Sequence, residues 1–323
     1  MMARYAARRL IEAVPLLLLV SIILFAIIQL TGDPLAAYTV DATLTGEDIA
    51  RLRQHYGLDQ PVPVQYLRWL GNMLTGNWGT SFVSNLPVAD LIAQRLPNTL
   101  LLVGSSYSII LIVAIVLGVY TAVHQYSVAD NVVTTIAFIG ISIPSFWLGL
   151  LLLLIFFAVQ TRSMGLPYFP AGGMYDLAVG PTVPQVLWHL VLPSITLATV
   201  VTAGYIRYIR ASMLEVIGQD YVRTARAKGL AERVMLRRHA FKNAAIPLVT
   251  LMGLDLPRFL SGAVVVESIF AWPGMGRLFW EEAQRTDIPV LMAVLVFSSA
   301  MVVIGNLLAD VGYAYLDPRI RYR

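Results

Sequence analysis

Long apolar runs alternate with polar stretches along the 323-residue chain. The first run is Leu10–Leu30. A second covers Pro97–Val123, a third follows the turn His124–Asn131 and ends near Gln160, and a fourth covers Gln185–Ile206 with His189 and Pro193 interrupting it. A fifth at Ala244–Val266 and a sixth at Ile288–Ala309 complete the set. About 20 helical residues, at ~1.5 Å each, cross a hydrocarbon core of about 30 Å. The pattern predicts an all-α, polytopic membrane protein with about six transmembrane helices. Strands of a β-barrel would alternate polar and apolar residues, and the run from Leu148 to Phe157 does not. Arg4, Arg8 and Arg9 precede the first run as in a signal peptide. That run is too long for one, and no clean small-residue cleavage site follows, so it is read as an uncleaved span.

The polar stretches carry the distinguishing features. Thr31–Leu96 is the longest, with a helix expected near Glu47–Tyr56 and aromatic residues at Tyr66, Trp69, Trp78 and Phe82. Those aromatics suit either a segment lying at headgroup level or a small folded cap. Pro97 suits a first helical turn, where its missing N–H costs nothing. Within the third span, Gly140-Ile-Ser142-Ile-Pro144-Ser145 predicts a kink, because Pro144 cannot donate to the Gly140 carbonyl. The kink serves packing or gating, and Ser142 and Pro144 are gate candidates in the second case. Arg162–Pro184 is a Gly/Pro-rich loop. Glu267–Asp287 is another loop and holds Trp272-Pro-Gly-Met275-Gly276.

Composition agrees with a membrane protein: 58% of residues are hydrophobic, 13% are charged, and the mean hydropathy is +0.71. Soluble domains carry about 25% charged residues. With no cysteine in the chain, disulfides, thiolate metal sites and cysteine nucleophiles are excluded. His55, His124, His189 and His239 lack metal-ligand spacing, and no P-loop motif occurs. The net charge of +4 reflects topology rather than nucleic-acid binding. With the N-terminus inside, fifteen Lys and Arg fall on inner segments and seven on outer loops, Arg258 remaining within a span. This predicts both termini in the cytoplasm. Thr31–Leu96 and Glu267–Asp287 are then extracytoplasmic.

Nine of the 23 Lys and Arg lie between Arg207 and Lys242, opposed there only by Glu215, Asp220 and Glu232. This stretch is too polar for hydrocarbon. Asp220 can cap a helix, Tyr221–Lys228 contains no breaker, and Gly229 can take the left-handed conformation that ends one. A second helix is expected from Ala231 to Asn243. Residues 207–243 therefore predict a cytoplasmic helical hairpin that touches another protein. Arg233, Arg237, Arg238 and Lys242 can equally serve to retain the loop inside and meet anionic headgroups.

Asp220-Tyr-Val-Arg-Thr-Ala-Arg-Ala-Lys-Gly229 resembles the cytoplasmic EAA loop of an ABC-importer permease, in the form carried by the dipeptide/oligopeptide/nickel permease family. Further matches are His239-Ala-Phe-Lys-Asn243 through Ile246-Pro247, Glu267-Ser-Ile-Phe-Ala-Trp-Pro-Gly274 and Leu316-Asp-Pro-Arg-Ile320, with Tyr5–Arg9 and Gly57–Pro61. The Glu-Ala-Ala signature is degenerate, since Arg223, Thr224 and Ala225 occupy its places. The resemblance implies the type I ABC-importer permease fold in a bacterial or archaeal cytoplasmic membrane. It implies a homologous second permease, two ATPase subunits that bind ATP and Mg, and an extracytoplasmic solute-binding protein that delivers a peptide. The chain itself would then hold no cofactor or metal and would not be an enzyme. Asp220, Tyr221, Arg223, Thr224, Ala225, Arg226, Ala227, Lys228 and Gly229 would seat in a groove of an ATPase, with Ala225 and Ala227 allowing close approach. Nickel chelates, glutathione and oligosaccharides are alternative solutes within the resembling family.

A self-contained secondary transporter or channel would need an ion pathway of its own. The intramembrane charges are few: Asp255, Arg258 and, near the end of the sixth span, Asp310. Asp255 and Arg258 share a helix face, with Pro257 between them and Gly253 nearby. They mark either a deformable point lining the translocation path or a fixed ion pair. Trp78, Trp272 and Met275 are candidates for docking the binding protein.

Overall fold

The computed structural model describes residues 2–30, 45–55, 57–164 and 169–316. The described residues are almost wholly helical, with one isolated β-bridge between Thr80 and Pro87. In chain order the helices are α1 (Met2–Leu30), α2 (Gly46–His55), α3 (Val62–Leu74), α4 (Val88–Val123), α5 (Val128–Ser142) and α6 (Ser145–Leu153). A π-helical continuation of α6 covers Leu154–Met164. There follow α7 (Val183–Ile217), α8 (Asp220–Ala227), α9 (Glu232–Met235), α10 (Ile246–Ile269), α11 (Met275–Arg285) and α12 (Ile288–Leu316).

Among the described residues, four helices are long and apolar enough to cross a membrane, in α1, α4, α7 and α12, and the α5–α6 pair makes a fifth if counted as one bent span. The 24-residue α10 occupies the predicted fifth position. The core lies where α4 and α7 pack along each other, with α10 closing against α7 and α12. The apolar residues of α1 are largely exposed, as a bilayer-facing helix requires, and it packs on α12.

Three expectations change. Pro97 lies inside α4, which begins nine residues earlier at Val88, so the second apolar run is only the inner part of a longer rod. Likewise, α7 is one continuous 35-residue helix through His189 and Pro193. Leu190, Leu192, Pro193 and Ser194 are buried there, and packing against α4 outweighs the single lost backbone bond. At ~1.5 Å per residue α7 is about 52 Å long, so it projects well beyond a core of about 30 Å. Finally, the expected kink at Pro144 is a full break. Proline disfavours the helical conformation in the residue before it, and Ile143 is extended at φ −87°, ψ 121°. The helices on either side of the break diverge by 103°.

The segment between α1 and α4 carries α2 and α3. Its α2 overlaps the predicted Glu47–Tyr56 helix; Tyr56 and residues 31–44 lie outside the described residues. Tyr66 and Trp69 of α3 pack on Phe25 of α1, with ring centroids 5.5 and 5.8 Å away. Both rings are half-buried.

Candidate functional site

The polar hairpin begins two residues after α7. Gly218 and Gln219 make the turn, their N–H groups donating to the Leu214 and Val216 carbonyls. Gln219 occupies the cap position, with extended backbone and no side-chain cap. Asp220 is thus the first helical residue instead of the cap, and its carboxylate lies in the first turn, where the helix dipole favours it. At the other end Gly229 is left-handed, φ +77°. Its N–H donates to the Arg226 carbonyl, and the Leu230 N–H donates to the Ala225 carbonyl. This pair of bonds is the Schellman ending that a glycine at this position permits. Beyond it, α9 continues through the π-helical turn Leu236–Phe241 and a short α-helical turn Lys242–Ala244, covering the predicted second helix.

Val222 and Ala225 of α8 are buried against Met235 of α9, with Val216 and Leu236 beside them. The hairpin therefore has a small core of its own. Arg226 and Glu232 pair across the turn at 3.8 Å. Ala225 points into this core, so the expected close approach of a partner at Ala225 does not fit its placement. Tyr221, Arg223, Thr224, Ala227 and Lys228 form the exposed face.

About two turns before the end of α7, Arg210 grips Asp130 in the first turn of α5. Arg210 Nε donates to Asp130 Oδ1 at 3.0 Å, and a terminal nitrogen donates to Oδ2 at 2.8 Å. The Tyr126 N–H donates to the same carboxylate. This bidentate pair fastens the helix that carries the hairpin to the broken third span. Sequence reasoning missed it, because Asp130 reads as an ordinary turn residue.

Inside the bundle, a cleft of about 620 Å³ opens between the α5–α6 break, α7 and α10. Ile141, Ser145, Tyr205, Tyr208, Asp255 and Phe259 are among its walls. Asp255 is half-buried. The Tyr205 hydroxyl is buried, with Tyr107 and Asp255 as its polar neighbours. Tyr107 stacks on Phe259 and donates to the Met252 carbonyl, bracing this part of α10. Helix α10 runs without a break through Gly253 and Pro257. The side chains of Pro257 and Arg258 lie outside the described residues, as does that of Asp310. Ser142 is exposed and donates to the Phe138 carbonyl, and Pro144 stands at the cap of α6.

At the far end, the loop after α10 is bolted to α4. Glu267 is fully buried. Its carboxylate accepts from Thr99 Oγ1 at 2.6 Å and from the Arg277 N–H at 2.9 Å, and so caps the N-terminus of α11. The Met275 N–H donates to Thr99, Trp272 Nε1 donates to the Asn98 carbonyl, and Asn98 Nδ2 donates to the Pro273 carbonyl. A β-carbon on Gly274 would collide with the Glu267 carboxylate, which explains glycine there. Asp287 is equally buried and accepts from Ser81 Oγ at 2.6 Å and the Val83 N–H at 3.1 Å. Trp272 and Met275 are buried, and Trp78 is half-buried with its indole donating to the Met73 carbonyl. These three candidates are spent on holding this end of the bundle in shape, and Trp280 stands exposed beside them. In α11, burial and then the nearby Asp287 charge push the Glu282 carboxyl above its ordinary range, against the opposing pull of Arg285.

Comparison with known proteins covers essentially the whole chain. Residues 114–322 match the family described as binding-protein-dependent transport system inner membrane component, and residues 2–103 match its N-terminal membrane component family. The chain is 45% identical to the oligopeptide transport system permease protein AppB of Bacillus subtilis, over 99% of this chain and 100% of that one. It is 41% identical to a putative peptide permease of Brucella ovis, over 99% of each chain. It is 39% identical to the glutathione transport system permease protein GsiC of Salmonella paratyphi A, over 100% of each. The helical bundle, the polar hairpin and these full-length matches agree: the chain belongs to the binding-protein-dependent transport system inner membrane component family, the permeases of ABC importers.

Proposed function

We propose that this chain is one membrane-spanning subunit of an ATP-driven importer of short peptides. It works with a homologous second permease, two ATPase subunits and an extracytoplasmic binding protein. The observation that carries this reading is the α8–α9 hairpin: a rigid element with its own core, joined by two residues to a helix that runs back through the bundle. Its exposed face of Tyr221, Arg223, Thr224, Ala227 and Lys228 is the surface for an ATPase groove. ATP and Mg belong to those partners, and this chain supplies no catalytic group. The excess of basic residues supports the hairpin and both termini facing the cytoplasm. The outer cap, with Trp280 exposed on α11, then faces the binding protein.

The α7 rod gives a physical route for coupling. Displacement of the hairpin moves α7, which also walls the intramembrane cleft and holds α5 through Arg210. Closure of the ATPases would thereby alter the cleft, as alternating access requires. The peptide assignment is supported by relatives named as oligopeptide and peptide permeases, with glutathione, itself a small peptide, among the named solutes.

Reconstitution tests the reading. The chain, co-expressed with its neighbouring transport subunits, should purify as a complex with ATPases and a second permease. In proteoliposomes it should take up peptide only with ATP and binding protein. Uptake by this chain alone without ATP would overturn it in favour of a secondary transporter.

A further inference from the structure

Where α1 finishes and α12 begins, a cavity of about 190 Å³ lies between these two helices, α3 and the loop that follows it. Two spans fix its level independently. Gln29, in its wall, is about 27 Å along the apolar run of α1 that starts at Ile11, at ~1.5 Å per residue, close to the limit of a core of about 30 Å. Ile288 and Met292, also in the wall, stand at the start of the apolar run of α12. The cavity therefore sits at the boundary between hydrocarbon and headgroups. Trp69 and Trp78 line it too, and indole rings favour that level.

Helix α3 is held on α1 by a hydrogen bond between the Tyr66 hydroxyl and Ser21 Oγ at 2.8 Å, and by Gln29 Nε2 donating to Gln65 Oε1 at 2.8 Å. Val64, Leu67 and Leu74 are exposed on one stripe of α3, as on a helix lying in the interface. Gln65, Arg68 and Asn72, spaced three and four positions apart, share another stripe and line the cavity. Phe25, Ile28, Ile288 and Met292 line the side formed by α1 and α12. The walls thus join a polar side to an apolar one, as an amphiphile does.

Among the described residues the Arg68 guanidinium makes no hydrogen bond and no ion pair, and no acidic residue lines the cavity. The guanidinium rests against the turn after α2, where a β-carbon on Gly57 would collide with it. A charge without a partner at this level calls for an anion, and lipid phosphates are the anions found there. Arginine's planar fork matches two phosphate oxygens. Small-molecule sites span about 300–1,000 Å³, so this cavity is small for a transported peptide and suits a headgroup whose chains stay outside.

We propose that this cavity binds the phosphodiester headgroup of an anionic membrane phospholipid. Arg68 holds the phosphate, Asn72 and Asn77 serve the hydroxyls of the polar end, and an acyl chain follows the exposed apolar surface of α1. A zwitterionic headgroup brings an ammonium for which the walls hold no acid. The lipid ties α3 to the start of α12. The cavity lies within one chain, so the proposal does not depend on the importer reading.

The test is native mass spectrometry of the full chain with its transport subunits, delipidated in detergent and titrated with phosphatidylglycerol, phosphatidylcholine or inorganic phosphate. Wild type should bind one phosphatidylglycerol that Arg68→Gln binds at least about tenfold more weakly, the size of one lost charge-assisted hydrogen bond. Arg68→Lys keeps the charge without the fork and should fall between the two. Asn72→Trp obstructs the cavity, leaves the charge in place, and should lose the lipid as well. Arg51→Gln removes an exposed charge of α2 that does not line the cavity and should change nothing. Phosphatidylcholine should bind at this site more weakly than phosphatidylglycerol by a similar factor, and inorganic phosphate should not displace the lipid. Equal loss in Arg51→Gln would reduce the effect to surface charge, and displacement by inorganic phosphate would make the site a plain anion pocket. Either result overturns the proposal, as does unchanged lipid affinity in Arg68→Gln or Asn72→Trp. Should Arg68→Gln fail to assemble, Asn72→Trp and the wild-type preference between the two lipids decide the question.

Discussion

Removing the Arg210 guanidinium would strand the Asp130 carboxylate. The Asp130 side chain is 4% exposed and that of Arg210 27%, so the pair is largely shielded from water. Breaking a buried pair from one side costs about 3–5 kcal/mol. Asp130 keeps the Tyr126 N–H at 3.0 Å, and Arg210 is partly wet, which places Arg210→Met at the lower end, about 3 kcal/mol. Asp130→Asn retains the shape and one acceptor and should lose about 2 kcal/mol. The double variant removes both charges and should be destabilised by only about 3 kcal/mol, giving a coupling energy of about 2 kcal/mol. The assay is a double-mutant cycle of unfolding in mixed micelles titrated with dodecyl sulfate. The same variants in proteoliposomes report function: each single change should lower peptide uptake per ATP hydrolysed, and the double change should recover part of it. Single effects that add to the double within about 0.5 kcal/mol would refute the claim that the pair acts as a unit. Unchanged coupling in all three variants would refute its role in holding the hairpin's helix.

Gly229→Val should uncouple transport: the side chain has open space, but its left-handed backbone costs a β-branched residue about 1–2 kcal/mol, so ATP hydrolysis should continue while uptake per ATP falls, and wild-type coupling would contradict this. Gly274→Ala should drive a methyl into the Glu267 carboxylate and destabilise the junction of α4, α10 and α11 by about 2 kcal/mol or more, read as a lower thermal midpoint with the α8–α9 hairpin protease pattern unchanged. Glu282 gives a pH prediction. Because its folded carboxyl is raised above the unfolded value, the fold binds the proton more tightly, and stability should rise as pH falls through the raised value and level off below the unfolded one. Glu282→Gln should flatten that dependence in thermal midpoints taken between about pH 5 and 8, and an unchanged slope would count against it.

Much of the architecture was legible in the residues. The apolar runs located the helices because bilayer thickness imposes a length that little else in a sequence imitates. The hairpin was legible from charge density and from Gly229, whose left-handed ending is a local property of the chain. Asp255 stood out because a carboxylate inside an apolar run is costly wherever the run folds. Helix ends were less legible, since Pro97 and Pro193 are locally unfavourable inside helices, and only packing between α4 and α7 made continuation worthwhile.

Long-range pairing was decided by the tertiary structure alone. Nothing local links Asp130 to Arg210, 80 positions apart, or Ser81 to Asp287, 206 apart. Each is an ordinary polar residue until folding buries it and makes a partner obligatory. Trp78, Trp272 and Met275 carry the converse lesson. Their residue types suggested an exposed contact surface, whereas packing buries Trp272 and Met275 and half-buries Trp78. Ala225 was similarly read as a contact and serves the hairpin's core. Sequence determines which segments must be helical and which must leave the membrane, because those choices depend on solvent and local backbone. Which face of each helix is spent on the fold depends on neighbours distant in the chain, and only the assembled bundle supplies them.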